Sequence, residues 1–192
     1  MNQAGSYKLL ITRLDRFIRK FYLNQLIRGA LFTLGGILAM YLFVSFLEYQ
    51  FYFEPGMRKL LFFGGLTLSL SMLGRLVLRP LMHYFQLGEI IDHNRAAKII
   101  GSHFSEVEDK LLNILQLKEQ SGSLADNSLI EASIDQKIDQ MQPVPFSMAI
   151  DLSKNRKYLK YALPPIAAFL FILFAAPNIL RESNTRLIRN GE

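Results

Sequence analysis

The stretch ALFTLGGILAMYLFVSFL, Ala30–Leu47, contains no charged residue. It approaches the ~20 residues with which an α-helix crosses ~30 Å of hydrocarbon. Inside a bilayer the backbone N–H and C=O groups have only one another as partners, so such a stretch reads as a membrane-spanning helix. Leu60–Leu78 and Tyr158–Ile179 repeat the pattern, and the expected fold is an all-α membrane protein with three transmembrane helices. Composition agrees: 51% of residues are hydrophobic, above the usual soluble range of roughly 45–50%. The chain has no Cys, which excludes disulfides and thiolate chemistry. The first apolar run begins only after Gly29 and is too long for the h-region of a cleavable signal peptide.

Formal net charge is +6. The basic residues gather at the ends of the apolar runs, which points to anionic lipid rather than nucleic acid. Lys8, Arg13, Arg16, Arg19, Lys20 and Arg28 precede the first span, whereas the first connection holds Arg58 and Lys59. The second connection is again rich, from Arg79 through Arg95, Lys98 and Lys110 to Lys154, Arg156, Lys157 and Lys160. The positive-inside rule then places the N-terminus in the cytoplasm and the C-terminus outside, despite Arg181, Arg186 and Arg189 in the tail. Arg75 lies near the cytoplasmic end of the second span, one turn from Arg79, where a long side chain reaches the headgroups.

This gives five segments. Residues 1–28 carry Tyr7, Leu10, Leu14, Phe17 and Phe21 at three- and four-residue steps and are expected to lie as an amphipathic helix at the cytoplasmic interface. Residues 29–79 form a transmembrane hairpin with spans at about 30–47 and 60–78. Gly29, Thr33 and Gly36 line one stripe of its first helix, and Gly65 and Ser69 offer the same close approach on the second. Pro55-Gly56 supplies the turn in the outer loop Tyr49 to Met57. Residues 80–157 are expected to be a small cytoplasmic helical domain. Leu87 to Ile100 makes one helix ending at Gly101, Ser105 with Glu108 forms a capping box for the next, and Asp126 or Asn127 opens a third that carries Ile130, Ile134, Ile138 and Met141. Residues 158–179 are the third span, kinked by Pro164-Pro165 with Pro177 at its outer end. Residues 180–192 are an extracytoplasmic stub.

No constellation of catalytic or cofactor chemistry emerges. His83, His93 and His103 recur every ten residues, a spacing that turns them to different sides of a helix. Glu89 and His93 share a face beside Asp92, yet a metal needs further ligands, so a solvated ion pair is the simpler reading. Glu106, Glu108 and Asp109 suit the positive end of a helix dipole and offer a surface for docking partners. Gly35-Gly36 and Gly64-Gly65 lie inside apolar spans and are not phosphate loops. No catalytic, cofactor or metal residue is therefore assigned. Lys8, Arg13, Arg16, Arg19, Lys20, Arg75, Arg79, Arg156 and Lys157 are expected at the lipid interface.

The run RAAKIIGSHFSEVEDKLLNILQL, Arg95–Leu117, with YKLLITRLD, Tyr7–Asp15, and the three-span layout, resembles the N-terminal membrane module of a family of large, uncharacterised inner-membrane proteins of Gram-negative bacteria. The resemblance extends over nearly the whole chain. It implies a long extracytoplasmic continuation after the third span, so a fragment or the ordered part of a longer protein is expected here, and it implies envelope-associated assembly without transferring any catalytic residue. The expected function is a non-enzymatic anchor or scaffold at the bacterial inner membrane that binds other membrane or envelope proteins through its cytoplasmic helices, with a homo-oligomer as a further expected partner. The alternative is an accessory subunit of a transporter or membrane enzyme complex.

Overall fold

The computed structural model describes residues 3–88, 90–121, 128–141 and 144–175, together with 178 and 185. Every regular element among them is helical. The order is α1 Gln3–Phe51, α2 Pro55–Leu73, a π-helical segment Gly74–Leu78, α3 Arg79–Tyr84, α4 His93–Gly101, α5 Ser105–Ser121, α6 Ser128–Met141 and, after two short 3₁₀ turns, α7 Arg156–Ala175. Three helical runs, Ser6–Phe51, Pro55–Tyr84 and Phe146–Ala175, are long and apolar enough to cross a membrane. The chain divides into two compact units, one of Met1–Asn24 with Met82–Leu152, the other of Gln25–Leu81 with Ser153–Glu192. Expectations that fall on the stub 180–192 apart from residue 185, its arginines 181, 186 and 189, Pro177, Pro143, Glu89, the break at 122–125 and the helix start at Asp126 or Asn127 lie outside the described residues.

The first unit has an apolar core shared by four helices. Leu10, Leu14, Phe17, Ile18 and Tyr22 of α1 are buried with Ile100 of α4, Val107, Leu111 and Ile114 of α5, Ile134, Ile138 and Met141 of α6, and Phe146 beyond it. The apolar stripe of residues 1–28, expected to face the lipid interface, faces protein instead. Their apolar stripe is covered by α4, α5 and α6, and α1 has no break near residue 28. The physical reason is supply of apolar area: three short amphipathic helices bury too little by themselves, and the N-terminal turns of α1 complete their core. Tyr22 fastens the arrangement. Its hydroxyl accepts a 3.0 Å hydrogen bond from the Ile91 amide, and its ring meets His83 edge-on at 5.0 Å.

Local chemistry sets the helix ends. The helix expected from Leu87 starts only at His93, because Gln86 and Gly88 adopt positive φ and Asp92 caps α4 by accepting from the Arg95 amide at 2.8 Å. The capping-box expectation also shifts: α5 starts at Ser105 itself, and Glu108 lies over Gly101, where a Cβ would run into the Glu108 side chain. Gly101 therefore remains inside the end of α4 as the residue that lets the first turn of α5 approach.

The second unit holds the apolar spans. The connection between α1 and α2 is shorter than the expected Tyr49–Met57 loop, since α1 continues to Phe51 and α2 begins at Pro55. Proline suits the first helical position, where its missing N–H leaves no bond unmade. The reversal is made instead at Tyr52, in the left-handed region with φ 48°. Gly29 sits where a Cβ would collide with the carbonyl oxygen of Leu76, and Gly36 faces the Met72 methyl. Gly65 faces the end of Met40, and the Ser69 hydroxyl bonds back to the Gly65 carbonyl at 2.8 Å. Gly35 meets the backbone of α7 at Ala162 and Tyr161. α7 remains helical through Pro164 and Pro165.

The π-helical turn follows from Pro80. In an α-helix the Leu76 carbonyl bonds to the amide four residues on, which here is a proline without an N–H. The chain widens, Arg79 donates to Gly74 five residues back, and the Leu76 oxygen faces the Cα of Gly29.

Candidate functional site

Among the described residues, no group of three or more His, Cys, Asp or Glu is arranged to hold a metal ion. The distinctive chemistry is electrostatic. It occurs at three places: an ion pair at the hairpin end of the membrane unit, a cluster of cations and aromatic rings at the start of α7, and the charged exterior of the helical unit.

At the hairpin end, Glu48 is 0% exposed. In the sequence it lies just past the apolar run that ends at Leu47. The structure puts it in α1, three residues after buried Ser45, with Arg58 Nε of α2 at 3.0 Å from Oε1. The two groups attract as an ion pair, but their angle is not that of a hydrogen bond, and neither carboxylate oxygen nor Arg58 Nε has another hydrogen-bond partner among the described residues. Thr33 Oγ1 is buried on the same helix without one. A buried ion pair of this kind registers α1 against α2: its attraction is strong where water is excluded, and sliding either helix by one turn strands a charge. The sequence signal was available in the acid ten residues before a base across a tight reversal, but hydropathy windows average it away.

The second cluster gathers Arg28, Phe32, Lys157, Tyr158 and Tyr161. The Arg28 guanidinium lies 5.8 Å and the Lys157 ammonium 5.0 Å from the centroid of the Tyr158 ring. Phe32 packs against Tyr158 at 5.1 Å and stacks on Tyr161 at 6.1 Å. Cation–π attraction of about 0.5–1 kcal/mol at exposed sites orients both cations together. Of these, only Lys157 was singled out from the sequence; Arg28 was read merely as part of a basic flank.

The remaining basic residues divide. Lys8, Arg16, Arg19, Arg75, Arg79 and Arg156 are exposed. Arg13 and Lys20 are half-buried in the helical unit, Arg13 beside Leu10, Ile138, Met141 and Phe146, and Lys20 donating to the Ser147 carbonyl at 2.7 Å. These two thus serve the internal packing of that unit. Glu106 and Asp109 project from α5, whereas Glu108 is spent on the contact with Gly101. His93 pairs with Asp15 of α1 at 2.9 Å, and Asp92 is a helix cap.

The chain matches no family model, no curated protein and no solved structure.

Proposed function

We propose that the chain is a non-enzymatic anchor and scaffold module of the bacterial inner membrane, with its helical unit in the cytoplasm and the hairpin reversal outside. The observation that carries this reading is the opposite distribution of apolar surface in the two units. The unit of α4, α5 and α6 buries a core that includes Phe17, Ile100, Leu111, Ile114 and Met141, while the other buries no large apolar side chain among the described residues and turns Phe43, Phe46, Leu60, Phe63, Phe171 and Phe174 outward. Contiguous exposed apolar surface on that scale belongs in lipid. The resemblance of Arg95–Leu117 and Tyr7–Asp15 to an envelope-protein membrane module supports the compartment, and the excess of Lys and Arg before the first span and before the third supports the orientation. Partners dock on the polar exterior of α5, where Glu106 and Asp109 are free of the packing that holds Glu108.

Because the chain contains no cysteine, single-cysteine variants report topology without background. In right-side-out cells a membrane-impermeant maleimide is expected to label Glu54→Cys in the reversal and to spare Asn113→Cys on α5. Labelling of Asn113→Cys from outside overturns the orientation. Charge reversal at Glu106 and Asp109 is expected to release co-purifying proteins. Unchanged association with a polytopic partner that carries charges within its own spans makes the chain an accessory subunit instead.

A further inference from the structure

The membrane unit contains an open apolar cleft of about 420 Å³, within the ~300–1,000 Å³ typical of small-molecule sites. Its floor is one side of α1 from Leu31 through Gly35 to Ala39; Met72 at the end of α2 forms one wall, and Tyr161 with Pro165 of α7 forms the other. The sequence keeps it open. Gly35 and Ala39 raise almost nothing into the groove, while its edges close where Gly36 meets Met72 and Gly35 meets Ala162. An apolar groove on a spanning unit gains dispersion contacts from whatever fills it, and hydrocarbon chains are the surrounding solvent.

One end of the groove is not apolar. Phe32 shares the floor and packs on Tyr158, whose ring draws Arg28 and Lys157 together. Both cations are exposed, and among the described residues neither has a carboxylate in ion-pair distance. Guanidinium and ammonium donors so placed, beside a tyrosine hydroxyl, suit phosphate oxygens.

We infer that the cleft binds one anionic phospholipid, its acyl chain lying over Gly35 and Ala39 and its phosphate held between Arg28 and Lys157. The inference rests on the proposed orientation, which puts this end at the anionic cytoplasmic leaflet. Charge complementarity selects lipid over a second copy of the chain. Copies inserted in the same direction bring Arg28 and Lys157 to the same depth, like charge against like.

The test is titration of phosphatidylglycerol, and of phosphatidylcholine with the same acyl chains, into the full chain in mild non-ionic detergent, read by native mass spectrometry. Wild type is expected to retain a single phosphatidylglycerol in preference to phosphatidylcholine. Arg28→Gln with Lys157→Gln is expected to weaken that retention about thirty-fold, two cations each acting near an anionic headgroup. Ala39→Phe leaves both cations in place, fills the groove, and is expected to abolish retention. Glycerol phosphate alone is expected not to compete. Equal retention of the two lipids by wild type overturns the inference, as does undiminished binding by Ala39→Phe, competition by glycerol phosphate, or a dimer that Ala39→Phe dissolves. Maleimide labelling of Asn113→Cys separates the two failures. External labelling defeats the orientation, whereas correct topology without selective lipid retention defeats only the site.

Discussion

The two units of this protein bury opposite things. In the helical unit Leu14, Phe17, Ile100, Leu111 and Ile114 are shut away; in the second unit the buried polar groups are Thr33, Ser45, Glu48 and Asn155, while Phe43, Phe46, Phe63, Phe171 and Phe174 face outward. A single helix, α1, takes part in both. Its composition changes accordingly, from a striped pattern with charges between apolar residues to a run that is apolar on every side. The lesson is that burial follows the solvent. Water drives apolar side chains together, and the core of the first unit is of that kind. Between helices long and apolar enough to cross a membrane, close backbone approach and buried polar groups carry the packing.

The sharpest way to break this comparison is to make the same change on both sides of it. Phe17→Ala removes a ring that is 0% exposed and is expected to cost ~3–5 kcal/mol. Protease resistance of α4, α5 and α6 in detergent reports it. Phe171→Ala alters a ring that is 72% exposed, and its effect is expected to stay within ~0.5 kcal/mol. Equal costs for the two would mean that Phe171 is covered by protein, and the membrane unit would no longer be inverted.

The Glu48–Arg58 pair sharpens the comparison from the polar side. Glu48→Gln leaves Arg58 beside a neutral group and is expected to destabilise the hairpin by about 3 kcal/mol, whereas leucine at both positions is expected to be neutral or mildly stabilising. Thermal unfolding in mild detergent distinguishes the two. A double variant as damaged as the single one would show that the charges have a role beyond registering α1 against α2.

Much of this architecture was legible from the sequence, and the exceptions share a cause. The three apolar runs needed only length and composition. Ile134, Ile138 and Met141 revealed the core face of α6 through helical spacing. What remained hidden was anything that depends on which surface meets which. The stripe of Leu10, Leu14 and Phe17 has the same spacing whether it lies on lipid or on protein, so periodicity alone placed it on the membrane. Glu48 drew no notice beyond the end of the first apolar run, because hydropathy cannot see a partner ten residues away. Arg28 is far in the chain from the adjacent Lys157 and Tyr158, and only folding brings it to the Tyr158 ring. The effect of Pro80 was hidden as well, since the donor it lacks matters only once Gly29 is found against the Leu76 carbonyl.

That last contact gives the most delicate test of how the membrane unit is held. Gly29 and Gly64 are both helical glycines, one just before the first apolar run and one within the second. At Gly64 a Cβ meets nothing within 4 Å. Alanine there is expected to stabilise the helix by roughly 0.5–1 kcal/mol, by removing backbone freedom from the unfolded chain. At Gly29 a Cβ would strike the Leu76 carbonyl oxygen. That oxygen belongs to the π-helical turn forced by Pro80, and a backbone atom cannot swing aside as the tip of a methionine can. Gly29→Ala is therefore expected to cost ~1–3 kcal/mol as an overpacked contact, opposite in sign to Gly64→Ala. Comparing the two in the same detergent cancels the general effect of alanine on helices. If both stabilise equally, α1 does not approach α2 at Gly29, and the hairpin is held by its charged end rather than by backbone contact.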